Sequence, residues 1–338
     1  MSLNLSVRDI KELLQGKDDA WLFQEARRIK ESVFGKDVYF RGVVEFSNYC
    51  ADNCFYCGLR AGNRNQARYR LTKEEIVEAA EVGYSLGLKT IVLQSGNDYF
   101  YKKDDIAFII REILSKVDVV ITLSLGERGF DEVREWKEAG AERYLLKVET
   151  FNEELYRRYR PGRSLEERIR LLAYMRELGY EIGSGIIVGL PGQTLEDIAE
   201  DLYRLSEMEL EMIAVGPFIP HPETPLGSEC PGDPVLSLRC IAILRILNPW
   251  ANIPSTSALA SFGMDYRARG IEAGANVIMP SITPSRVRLL YKIYPGKNEG
   301  CKCVIEEIDF LKKLVEDTGG KVSDSKGYSP RRFYAKGS

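Results

Sequence analysis

DVYFRGVVEFSNYCADNCFYCGLR, residues 37–60, joins two unlike halves. Residues 37–47 are dominated by β-branched and aromatic side chains, which predicts a strand. The remainder carries three of the chain's seven cysteines, Cys50, Cys54 and Cys57, in a Cys-x3-Cys-x2-Cys array. Asn48, Asn53 and Gly58 suit tight turns there. The reading is a strand that ends in a thiol-bearing loop.

Working outward, short apolar runs alternate with amphipathic segments. Residues 89–96, 118–127, 142–150, 181–192, 212–218, 252–258 and 275–281 are the further predicted strands. Between them, Thr72 with Glu75 and Ser164 with Glu167 mark capped helix starts, and a third capped helix spans 194–208. Further helices are expected at 103–116, 130–140, 236–247 and 266–274. Eight strand–helix units predict an α/β fold, a TIM-type (βα)8 barrel over 37–300. An N-terminal helical extension occupies 1–36, and a C-terminal helix with a mobile basic tail occupies 301–338. An open doubly wound sheet is the alternative, but it lacks a Gly-rich dinucleotide fingerprint.

Composition narrows the chemistry. The net charge of −3 gives no electrostatic case for nucleic acid, and no apolar run is long enough to cross a bilayer. The first residues lack the pattern of a secretion signal, so a cytoplasmic location is expected. There, clustered cysteines favour metal binding or chemistry over disulfides. His221 is the only histidine, so multi-histidine zinc sites are excluded and catalysis points to a cofactor. It lies in a proline-rich loop and is not assigned as catalytic.

In a barrel, the loop after the first strand opens on the C-terminal face, where active sites sit. Three thiolates there can hold three irons of a cubane and leave the fourth open to a ligand. A structural zinc knuckle or reactive thiols are the bland alternatives, though closed zinc sites need four ligands. Tyr56, between two of the cysteines, could pack against a planar base.

The cysteine array resembles the signature of the radical S-adenosylmethionine (SAM) superfamily. That resemblance implies a 4Fe-4S cluster at Cys50, Cys54 and Cys57, with SAM bound at its open iron. Seven segments narrow it: 45–60, 90–98, 122–127 (TLSLGE), 143–150 (RYLLKVET), 188–194 (VGLPGQT), 216–226 and 276–297. Together they resemble the HydE family of FeFe-hydrogenase maturases, which is related to biotin synthase and methylornithine synthase. The family implies SAM contacts at Ser95, Ser124, Glu149, Arg168 and Gly189. It also implies a substrate cavity lined by Thr122, Arg143, Met212, Thr256, Ser257, Tyr291 and Tyr294, the two tyrosines on one helical face. Taken singly, these residues read equally as capped turns, surface ion pairs or core aromatics.

The implied substrate is an iron–cysteine complex carrying CO and cyanide, attacked at sulfur by the 5′-deoxyadenosyl radical. The implied partners are the maturases HydG and HydF and an electron donor. A radical SAM amino-acid mutase and a non-catalytic iron–sulfur scaffold are the competing functions. The chain departs from the family pattern at Lys147-Val148, where related sequences carry Arg-His. Some relatives hold an accessory cluster on three C-terminal cysteines. Only Cys301 and Cys303 stand here, too few for a four-ligand cluster, so no second cluster is expected. Cys230 and Cys240 read as structural.

Overall fold

The computed structural model describes residues 5–299 and 303–331. Two helices come first, α1 (Val7–Leu14) and α2 (Asp19–Phe34). The barrel then runs β1 (Asp37–Ser47), α3 (Lys73–Ser85), β2 (Thr90–Ser95), α4 (Lys103–Lys116), β3 (Val120–Ser124), α5 (Phe130–Glu138) and β4 (Arg143–Leu145). It continues through α6 (Glu153–Tyr159), α7 (Leu165–Glu177), β5 (Glu181–Val188), α8 (Leu195–Glu207), β6 (Met212–Pro217) and α9 (Pro234–Leu247). The chain ends with α10 (Arg267–Glu272), β7 (Val277–Ile278), α11 (Ser285–Arg288), α12 (Val304–Asp317) and β8 (Lys321–Ser323).

Strands β1 to β6 pair in sequence order, all parallel, and β7 returns to pair with β1. Each is almost wholly buried, since helices cover the outside and side chains fill the inside. Reciprocal capping boxes form at Thr72–Glu75 and Thr194–Asp197. At Ser164 only one half forms, its hydroxyl accepting from the Glu167 amide. The N-terminal helices pack on the barrel's outer layer, α1 against α8 and α2 against α9.

The predicted strand at 252–258 is not a strand. The ring closes there through single bridges, Met212 with Asn252 and Pro254 with Val277, followed by one 3-10 turn at Ser257–Ala260. Pro254 has no N–H to give to a ladder. Side chains substitute: the Ile253 amide donates to Asn276 Oδ1 at 2.9 Å, and Asn276 Nδ2 donates to Asn252 Oδ1 at 2.9 Å. The fourth strand is also shorter than 142–150 suggested, with one further bridge at Glu149. Helix α6, which the periodicity did not reveal, follows it.

Residues 321–323 add a short strand beside β1, and 326–329 pack across the N-terminal mouth of the barrel, whereas 332–338 of the expected mobile tail lie outside the described residues. Arg41 Nη2 and Asn252 Nδ2 donate to the Gly327 carbonyl at 3.2 and 3.0 Å, and Arg143 Nη2 donates to Lys326 O at 3.0 Å. Ser329 is fully buried, its hydroxyl donating to Trp250 O at 2.8 Å.

Candidate active site

The cysteine loop is fastened on three sides. Ala51 N donates to Asn97 O at 2.9 Å, Phe55 N to Tyr159 O at 2.9 Å, and Gly58 N to Ile293 O at 3.0 Å. Only glycine fits at position 58, because a Cβ would lie 2.2 Å from Lys292 O and 2.6 Å from the His221 ring. His221 is thus a packing partner of the loop. Burial lowers its pKa, and its Nδ1 accepts from the Glu223 amide at 3.1 Å.

The loop overhangs a cavity of about 370 Å³ at the C-terminal ends of the strands. Cys50, Cys54, Cys57, Tyr56, Ser95, Ser124, Glu149, Arg168, Thr256, Ser257 and Tyr294 all line it. The fold thus brings together most of the residues that the sequence singles out. Asp52, Gln94, Asn97, Lys147, Arg160 and Lys297 line it as well. Of these six, only Lys147 had drawn attention, as a departure from the family pattern.

Five expected contacts lie off the wall. Gly189, at φ +85°, packs on the backbone of Gly232. Tyr291 is buried and outside any helix, its hydroxyl accepting from Gln94 Nε2 at 3.1 Å. Thr122, Arg143 and Met212 lie deeper among buried groups. Arg143 is fully buried: Nε donates to Glu181 Oε2 at 2.6 Å, Nη1 to Thr90 Oγ1 at 3.0 Å, and Tyr328 packs on its guanidinium. Arg41 beside it donates to Met212 Sδ at 2.8 Å, and burial lowers the Arg41 pKa to about 9. The helical face proposed for Tyr291 and Tyr294 is therefore absent. Tyr294 and Ser257 share a hydrogen bond of 2.6 Å between their hydroxyls. Cys301 lies outside the described residues; Cys303 precedes α12, and Cys230 is exposed while Cys240 is buried.

Charge is concentrated beside the thiols. Asp52 pairs with Arg160 at 3.2 Å and with Arg163. Glu127 meets Arg168 at 2.5 Å, Arg163 at 3.3 Å and Arg160 at 3.6 Å. Arg160 Nη1 donates to the Tyr56 hydroxyl at 3.1 Å. Glu149 holds a left-handed backbone at φ +71°, rare for a side-chain-bearing residue, and ion-pairs with Lys147 at 2.9 Å. Val148, between them, is fully buried.

The donor set fits an iron–sulfur cluster. Burial raises the pKa of all three cysteines, with Cys50 pushed up to about 11 and the Asp52 carboxylate adding to its rise. Neighbouring thiols add to the rise at Cys57, whereas Arg160 and Arg168 oppose it at Cys54. Such thiols stay protonated unless a cationic centre stabilises them as thiolates. Among the described residues, no three potential ligands converge on one metal ion, and a cubane needs its thiolates spread over separate irons. Two buried polar atoms nearby, Arg160 Nε and Asn97 Oδ1, have no hydrogen-bond partner among the described residues.

Comparison with known proteins gives a consistent result. The Radical SAM superfamily matches residues 44–205. The [FeFe] hydrogenase maturase subunit HydE of Thermotoga maritima is 47% identical over 323 residues, covering 92% of each chain. A 3-methylornithine synthase of Methanosarcina acetivorans is 30% identical over 84% of this chain and 81% of its own. The crystal structure of methylornithine synthase PylB superposes with a TM-score of 0.85 at 26% identity, covering 95% of both chains.

Proposed function

Because the chain belongs to the radical SAM superfamily, in the group that includes the HydE maturases, we propose that it is a HydE-type enzyme of FeFe-hydrogenase active-site assembly. Its substrate on this reading is a cysteine-bound iron carbonyl/cyanide precursor, supplied by HydG and passed onward toward HydF. An electron donor completes the set, and the protein works in the cytoplasm; among the described residues, no helix is long and apolar enough to cross a membrane. When bound, the 4Fe-4S cluster supplies the electron that breaks a C–S bond of SAM and frees a 5′-deoxyadenosyl radical.

This chain's residues then have four tasks. Cys50, Cys54 and Cys57 hold the cluster. Arg168 grips the SAM carboxylate through its planar fork, and Glu149 accepts from ribose hydroxyls. Tyr56, Ser95 and Ser124 border the nucleotide, with Gly189 supporting the loop beneath the adenine. The cavity walls limit solvent around a radical that would abstract hydrogen from most neighbours, and align its carbon with the substrate sulfur. Thr256, Ser257 and Tyr294 present hydroxyls to the substrate, over a floor built by Thr122, Arg143, Met212 and Tyr291.

The observation that carries this reading is the convergence of three loop cysteines with Arg168 and Glu149 on one cavity, in a chain so similar to HydE over nearly its whole length. The test is anaerobic reconstitution, then SAM with the iron(II) dicarbonyl cyanide complex of L-cysteine. An electron paramagnetic resonance signal altered by SAM and a sulfur-adenosylated product are expected. A rearranged amino acid from lysine instead assigns a mutase. Failure to cleave SAM under reduction leaves only a scaffold.

A further inference from the structure

Glu45 is a carboxylate with no solvent exposure, placed on β1 two residues beyond the cavity-lining Val43 and on the same strand face. Three neutral groups already serve it. Ser281 Oγ donates at 2.6 Å, Thr283 Oγ1 also donates, and Asn298 Nδ2 donates at 3.3 Å. Lys297 Nζ adds a cation at 3.2 Å.

The backbone goes to some trouble to bring that lysine inward. Gly296 and Asn298, on either side of it, both occupy the left-handed region, at φ +81° and +63°. For Asn298 this carries a conformational cost. The Asn298 amide also donates to Arg288 O at 3.2 Å, which fastens the turn to α11. Lys297 is consequently only 8% exposed and forms part of the cavity wall. An ammonium offers three N–H donors. Glu45 takes one and Ser257 Oγ, at 3.4 Å, a second. Ser257 in turn bonds the Tyr294 hydroxyl, so one side of an otherwise largely apolar chamber presents a cation and two hydroxyls together.

We propose that Lys297 binds the carboxylate of an amino-acid-derived substrate, with Ser257 and Tyr294 beside it and Glu45 as the positioning residue. Lys297 is the counter-ion of buried Glu45, a charge the three neutral donors do not replace, and its remaining N–H lies in the cavity wall where a ligand can meet it. The inference rests on the function proposed above and adds the group that recognises the substrate's acid end.

The test uses the reconstituted enzyme, SAM and two iron(II) dicarbonyl cyanide complexes, one of L-cysteine and one of cysteamine, its decarboxylated analogue. The wild type should show a KM about tenfold lower for the cysteine complex, as a charge-assisted contact implies. Lys297→Met should erase most of that preference. Glu45→Gln/Lys297→Met removes both charges, leaves no buried carboxylate unpaired, and should erase it too. Glu45→Gln alone keeps the ammonium but loosens its position, and should reduce the preference only in part. The SAM-dependent change in the cluster signal verifies loading in every variant. Full discrimination by Lys297→Met or by the double variant overturns the inference, as does equal handling of both complexes by the wild type. Absence of adenosylated product from wild type with either complex overturns the underlying function and the lysine's role with it.

Discussion

Arg168 Nε donates to Glu127 Oε1 at 2.5 Å while its Nη1 donates to the Lys147 carbonyl. The guanidinium is therefore held on two sides before any ligand arrives, and Lys147 is two residues from Glu149. On the proposed role, this fixes the spacing between the group that grips the SAM carboxylate and the one that meets the ribose. Arg168→Lys keeps the charge but loses the fork. It should weaken SAM binding by about 10- to 100-fold, the worth of a charge-assisted hydrogen bond. Titrating SAM against the reduced cluster's resonance signal measures this. Unchanged affinity would remove Arg168 from the SAM site.

Gly58 and Lys292 make a second test. A methyl group at position 58 would lie 2.2 Å from Lys292 O, a backbone atom that cannot rotate aside. Gly58→Ala should cost about 1–3 kcal/mol through overpacking. It should also displace Cys57, the adjoining residue, so iron and sulfide content should fall together with the melting temperature. Normal loading with a normal melting temperature would show that the loop adapts.

Much of this organisation was legible in the sequence because it is local. Capping residues, apolar periodicity and cysteine spacing act over a few positions, and they placed β1, α3, α4 and the thiol loop within a residue or two. Residues at strand ends, such as Ser95 and Ser124, follow from the barrel's polarity. The misplaced residues depend on distant partners. Arg143 looks like an anion ligand until Lys326, 183 residues later, supplies a carbonyl to it. The segment 252–258 has strand-like composition, but its backbone pairing is reduced to single bridges supplemented by asparagine side chains. Lys297 enters the chamber only because two left-handed residues flank it, and neither Gly296 nor Asn298 announces that conformation on its own.

Asp201 gives the chain a pH-dependent stability. Burial raises its pKa to about 7, although the Phe151 amide donates to it at 2.6 Å. The unfolded value is near 3.8, so the folded state binds more protons between the two. The contribution of Asp201 to stability is full below about pH 4, falls as pH rises to about 7, and then levels off. Asp201→Asn keeps an oxygen acceptor for Phe151 without the charge. It should flatten this part of the profile and raise the melting temperature at pH 8 more than at pH 4. Parallel profiles for the two proteins would show that Asp201 does not carry the effect.

The barrel floor supplies the last prediction. Arg41 and Arg143 are both buried, and Glu181 is the carboxylate paired to Arg143, at 2.6 Å. The Lys326 and Gly327 carbonyls each accept from one of them, and Tyr328 covers the Arg143 guanidinium. Truncation after Ser325 removes both carbonyls and the ring, leaving two buried cations with lost acceptors. Water can enter from below and recover part of the loss, so the net cost should be about 2–5 kcal/mol. Urea denaturation measures it, and Tyr328→Ala, which keeps the carbonyls, should cost less than half as much. The opened floor should also admit solvent toward the chamber and raise SAM cleavage that yields no adenosylated product. A truncated protein with wild-type midpoint and coupling would reduce the segment to a passenger.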